Sequence, residues 1–228
     1  AEFRLNHSEK AMTYFAQSGD ISSMIYCSGV SIKAMSTVDA IELVCKYDPN
    51  NKYIENALQA YVRSIETFCC EDEYTETSDD EKLYSLCINM AKDKRSENPA
   101  MWYYTAAFLK QLNNELSLAS QLLRLAENSK STKYIEESIK VLRIYLDAKI
   151  MPYNSTYENR LYAQLNWLDE KIKDNIDKDV INETAQGFKL NTNESYYYWN
   201  DMMRRILLSE VCPRMNKAGK TTRALQLA

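Results

Sequence analysis

The sequence predicts an all-α protein whose helices pair into antiparallel hairpins. Four glycines and four prolines among 228 residues fall far below ordinary usage of roughly 7% and 5%, which removes the punctuation that strand-rich folds need at their turns. Apolar residues recur at helical spacing along three long segments. The polar breaks between segments are short, so neighbouring helices must double back on one another.

In chain order, helices are expected near residues 7–17, 20–34 and 37–46, the last ending at the turn Asp48-Pro49-Asn50-Asn51. The clearest amphipathic stripe follows over 52–68, where Ile54, Leu58, Tyr61, Ile65 and Phe68 share one face. Helices near 79–93, 99–112 and 115–127 come next, with Pro99 opening the second of them after Asn98. A second stripe covers 133–148 through Ile135, Ile139, Leu142 and Leu146. A third covers 157–172 through Leu161, Leu165, Leu168 and Ile172, after a break at Met151-Pro152. Further helices are expected near 177–186, bounded by Gly187, near 194–211, and from 217 onward, and no strand pattern competes. Lys52-Tyr53-Ile54-Glu55 returns as Lys133-Tyr134-Ile135-Glu136, each opening a long helix. That offset is about two hairpins of the size found in helical repeats, which points to an α-solenoid. The acidic stretch from Glu71 to Glu81 marks the expected boundary, giving N-terminal hairpins over 1–70 and a repeat region over 79–228.

Composition excludes several function classes. A formal net charge of -4 gives no basic stripe for a phosphate backbone, so no nucleic-acid partner is expected. The late cations Arg204, Arg205, Arg214, Lys217, Lys220 and Arg223 read as a solvated face. No window approaches the length of apolar chain that spans a bilayer. Cys27, Cys45, Cys69, Cys70, Cys87 and Cys212 form no CxxC pair, so they read as small buried hydrophobes rather than metal ligands, and no cofactor is expected. Adjacent Cys69 and Cys70 leave a vicinal disulfide open. Triplets at Asn6, Asn154, Asn182 and Asn193 match the glycosylation pattern without fixing a localisation. The chain opens on Ala-Glu-Phe without a signal segment, and its last residues keep helical composition with no stop signal, so a piece of a longer polypeptide is expected.

Asn98-Pro99-Ala100-Met101-Trp102-Tyr103-Tyr104-Thr105-Ala106-Ala107, followed by Gln111-Leu112-Asn113-Asn114-Glu115 and by Ala119, Leu123 and Ala126, resembles one tetratricopeptide repeat. Leu208, Val211, Cys212 and Met215, then Gly219 and Ala224, resemble a second. In both, the turn residue precedes the packing alanine by five. The match covers about 98–150 and 204–228, and it departs from the family: the first hairpin has no glycine, no proline closes it after Ala126, and Pro213 stands inside a helix it should kink. The resemblance implies a superhelical scaffold that binds a protein or peptide segment and performs no catalysis.

Catalytic constellations lack parts. Ala218-Gly219-Lys220-Thr221-Thr222 carries the tail of a phosphate-binding loop, but Arg214 stands where its leading glycine belongs. His7 is the only histidine, which leaves triads and imidazole metal sites without members. The seven carboxylates between Glu71 and Glu81 lack the glycine turn of a calcium loop.

Tyrosine is the unusual residue, with 17 copies clustered at Trp102-Tyr103-Tyr104 and Tyr196-Tyr197-Tyr198-Trp199. Consecutive helical residues turn by about 100°, so these aromatics cannot all face one layer. Tyr103, Tyr104, Tyr197 and Trp199 are therefore the candidate ligand-binding residues, against a packing role between helices. The expected function is a non-catalytic protein- or peptide-binding scaffold. An aromatic-lined site for glycans or small ligands is the alternative, and a carboxylate-based enzyme ranks third.

Overall fold

The computed structural model describes residues 2–30, 35–68, 74–175, 181–183, 189–191 and 194–227. These are overwhelmingly helical: α1 (Glu2–Ser18), α2 (Ile21–Val30), α3 (Thr37–Tyr47), α4 (Lys52–Phe68), α5 (Ser78–Lys92), α6 (Pro99–Leu112), α7 (Leu116–Glu127), α8 (Lys133–Ile150), α9 (Ser155–Asn175), α10 (Glu194–Arg205), a π-helical segment (Ile206–Val211), α11 (Cys212–Lys217) and α12 (Thr221–Leu227). Two compact units, Ala1–Ile139 and Lys140–Ala228, meet inside α8. The acidic stretch thus lies within the first unit. Its residues 71–73 fall outside the described residues, as do Cys69 and Cys70, while Thr77 caps α5 through a reciprocal pair of bonds with Asp80.

In the first unit, successive helices pack in pairs and also touch at one remove, α1 with α3, α3 with α5 and α4 with α6. Alternate loops consequently gather at one end and are tied together by hydrogen bonds. Asn50 donates to the Arg95 carbonyl (2.8 Å) and accepts from the Glu97 amide (2.8 Å), which joins the loop before α4 to the loop before α6. Glu55, in the first turn of α4, accepts from Asn98 (3.1 Å) and from Thr132 (3.1 Å), the residues that precede α6 and α8. Stripe residues Ile54 and Leu58 are both 1% exposed. The repeated motif takes equivalent roles: Tyr53 and Tyr134 are exposed and Ile54 and Ile135 buried, each in the first turn of its helix.

Three hairpin turns share one geometry. Gly19, Asn114 and Gly219 adopt φ of 79°, 59° and 76°, the left-handed conformation that closes a helix. In each, the following residue's amide reaches back five positions: Asp20 to Phe15 (2.9 Å), Glu115 to Lys110 (2.9 Å) and Lys220 to Met215 (2.9 Å). Five residues on from each turn stand Met24, Ala119 and Ala224, at most 2% exposed. The sequence reading found the second and third of these turns; the first escaped it because Met24 stands where the others have alanine.

The two glycine turns differ in the space around them, and this carries a prediction. A Cβ on Gly19 would lie 2.2 Å from Asn51 Oδ1, whereas a Cβ on Gly219 would meet nothing within 4 Å. Asn51 Oδ1 already accepts from the Tyr53 amide at the start of α4 (3.1 Å). Gly219→Ala should therefore cost about 1 kcal/mol for backbone strain alone, and Gly19→Ala about 2 kcal/mol or more, since Asn51 must also move. Urea midpoints of the two variants measure the difference, and equal losses would contradict the contact.

The second unit packs around Ile144, Tyr157, Leu168, Trp199, Ile206 and Val211. Arg214 donates to the carbonyls of Ala148 and Met151 at the end of α8, where free carbonyls need donors, and its guanidinium lies 5.1 Å from the centre of the Tyr157 ring. Three expectations need correction here. Residues 181–183 form not helix but strand β1 (Ile181–Glu183), paired antiparallel with β2 (Lys189–Asn191). Asn182, the triad's middle residue, is a poor helix former, and the segment has no amphipathic stripe to hold a helix down. The helix expected over 194–211 changes register at Ile206. Pro213 offers no amide and its ring crowds the carbonyl four residues back, and the preceding turn widens so that the Cys212 amide donates to Leu207, five residues earlier. Leu208 is thereby turned outward, 41% exposed, although Val211, Cys212 and Met215 are buried. Finally, the last helix starts at Thr221 rather than 217 because the Gly219 turn occupies 218–220.

Candidate functional site

Beside the stripe of α4 that faces the core runs a second face of the same helix, with Tyr61 at the border between the two. Tyr53, Asn56, Ala57, Ala60, Tyr61 and Ser64, at spacings of three, one, three, one and three, form one outward face. This face is the floor of a groove of about 860 Å³. The α1–α2 turn and the first turns of α2 build the facing wall, with Asp20, Ile21 and Ile25. From Tyr53 to Ser64 the floor runs about 16 Å at helical rise. Small side chains at its centre and tyrosines beside them make a surface on which an extended chain can lie close to the helix.

Polar groups at the groove are fixed from behind. The Tyr61 hydroxyl donates to Asp80 Oδ1 (2.7 Å), and Asp80 is only 2% exposed. Asp80 Oδ2 accepts from the Thr77 hydroxyl (2.6 Å) and amide (2.9 Å). Burial works to raise the Asp80 carboxyl, but the bonds from Thr77 and Tyr61 outweigh it and hold the group below its ordinary range. Burial and the neighbouring carboxylate push the Tyr61 phenol upward, so it keeps its proton. Asp20 caps α2 by accepting from the Ser23 amide (3.0 Å), and that bond lowers its carboxyl.

The residues singled out from sequence sit elsewhere. Tyr103 is half-buried and Tyr104 is 4% exposed, both on α6 of the first unit and neither lining the groove. Trp199, 8% exposed on α10 of the second unit, packs edge to face on Trp167 with centroids 5.5 Å apart, and Lys171 lies within 5.9 Å of both rings. The side chain of Tyr197 lies outside the described residues, as does that of His7. Of the groove residues, sequence periodicity places Tyr61 in the buried stripe and marks Tyr53 only as part of the repeated motif. Alternation of small residues with tyrosine on the face flanking Ile54 and Leu58 is the signal that points to them.

Several chemically reactive groups are buried in the fold. Cys45 and Cys87 are free thiols, 3% and 0% exposed; burial pushes the first up to about 12 and the second well above its usual value, so neither supplies a thiolate near neutral pH. The buried carboxylate of Asp147 accepts from Arg160 (2.7 Å) and Gln164 (2.7 Å), as Asp80 does from Thr77 and Tyr61. Late cations are engaged as well: Lys220 with Glu158, Arg223 with the same carboxylate at 3.9 Å, and Arg205 with Asp201 at 2.7 Å. Among the described residues, no group of three or more His, Cys, Asp or Glu could hold a metal ion, and no helix is long and apolar enough to cross a membrane. Comparison of the chain with protein-family models, with curated proteins and with solved structures returns no match.

Proposed function

We propose that the chain is a non-catalytic binding module whose hairpins stack in the manner of a tetratricopeptide-like α-solenoid, and that it holds an extended peptide segment of a protein partner along α4. The observation that carries this reading is the groove-lining face of α4: Ala57 and Ala60 between Tyr53 and Tyr61, beside the buried face that anchors the helix. A helix lining a groove with small residues and fixed tyrosines offers contact area at low cost in side-chain entropy. The hydrogen-bonded row of loops at one end of the first unit supports the stacked arrangement, since hairpins in register place alternate loops side by side. Engagement of the buried carboxylates and thiols in the fold supports binding over chemistry.

Selection of short random peptides on the full chain tests the reading, with Ala60→Arg as the counter-target. Ala60 is exposed, so the substitution should alter stability by no more than about 0.5 kcal/mol while filling the groove. Peptides enriched on the parent chain should bind the Ala60→Arg chain at least about tenfold more weakly. Selected peptides that bind both chains equally, or no enrichment at all, would remove the groove from the function.

A further inference from the structure

We infer that the groove on α4 is selective for a basic peptide, an extended segment bearing Lys or Arg whose cationic head group pairs with Asp20. This rests on the proposed peptide-binding role and specifies its partner.

Charge, more than the balance of donors and acceptors, sets what the groove can take. Each hydroxyl owns a single donor hydrogen and accepts through its lone pairs. The Ser18 hydroxyl donates to the Phe15 carbonyl (3.0 Å), the Ser64 hydroxyl to the Tyr61 carbonyl (2.7 Å), and the Tyr61 hydroxyl to Asp80 (2.7 Å). Three hydroxyls of the lining have thus committed their hydrogens inward, whereas those of Ser22, Thr37 and Tyr53 and the amide of Asn56 can donate as well as accept, so it is charge that biases the surface. Among the described residues that line the groove Asp20 is the one charged side chain, and a carboxylate only accepts. Lys52 is not part of the lining and lies over the Tyr53 ring at 4.9 Å. The described lining is therefore singly negative, which favours an occupant that brings positive charge and disfavours one that brings carboxylates. Main-chain amides of an extended peptide supply donors along the floor; a Lys or Arg head group supplies them at the Asp20 end.

An exposed ion pair contributes little affinity, so the signature is selectivity. The test sorts the groove-dependent peptides, those lost on Ala60→Arg, by composition on the parent chain and on Asp20→Asn, a substitution that keeps an acceptor at the α2 cap. Lys and Arg should be enriched and Asp and Glu depleted on the parent. Replacing the Lys or Arg of a selected peptide by Gln should weaken binding about threefold to fivefold, and Asp20→Asn should erase that difference. Groove-dependent peptides that are neutral or acidic would overturn the inference and leave the binding role standing. A basic preference that survives Asp20→Asn would overturn the assignment of Asp20. Failure to obtain any groove-dependent peptide would overturn both.

Discussion

Trp102→Ala is expected to destabilise the first unit by about 4 kcal/mol, the largest single loss among the substitutions considered. Trp102 is fully buried on α6, a helix enclosed on nearly every side: Ala100, Met101, Tyr104, Ala106, Ala107, Phe108 and Leu109 are all at most 4% exposed. The helix packs against α5, α7 and α4. Close approach by the small pair Ala106-Ala107 leaves little slack for neighbours to collapse into the space an indole vacates, which places the cost toward the upper end for such truncations. Trp102 Nε1 is also buried without a hydrogen-bond partner. Trp102→Phe removes that unpaired donor and keeps an aromatic ring, so its loss should be much smaller, about 1 to 2 kcal/mol. Hydrogen exchange at the amides of α5, α6 and α7 reads both variants without requiring the two units to unfold in one step. A Phe variant as unstable as the Ala variant would mean that the indole makes a polar contact worth more than its volume.

What the sequence could disclose followed the range of the interactions involved. Ile54 and Leu58 on α4, and Leu161 and Leu168 on α9, were legible because burial of one helix face writes itself into local periodicity. Asn114 and Gly219 were legible because a left-handed residue closing a helix needs a particular residue type. The β1–β2 ladder was not, since Ile181 to Glu183 become a strand only through partners at Lys189 to Asn191. The π segment required weighing Pro213 against its preceding turn rather than against helix content. The groove was least legible of all. Ala57 and Ala60 look like ordinary helix formers until the start of α2 is brought across from them, where Gly19 comes close to Asn51 from another loop.

The same dependence on distant partners makes Asp80 the second large expected effect. Asp80→Ala should cost about 3 kcal/mol, because it strands the Tyr61 hydroxyl and the Thr77 amide and hydroxyl, which now satisfy one buried carboxylate. Asp80→Asn keeps one acceptor but turns an NH₂ toward groups that donate, and should cost about 2 kcal/mol. Acidity separates the contribution of charge from that of shape. The folded carboxyl is held below its ordinary value, so its stabilisation is complete above the unfolded value of about 4 and is lost as pH falls through the lower folded one. The stability gap between the parent chain and Asp80→Asn should accordingly be full at neutral pH and narrow below about pH 4, whereas carboxylates common to both chains cancel. A gap that stays constant on acidification would assign the effect to geometry alone. Because Asp80 fixes Tyr61, the Asn variant should also weaken binding of groove-dependent peptides under conditions where the chain remains folded; unchanged binding would detach the α5 cap from the groove it backs.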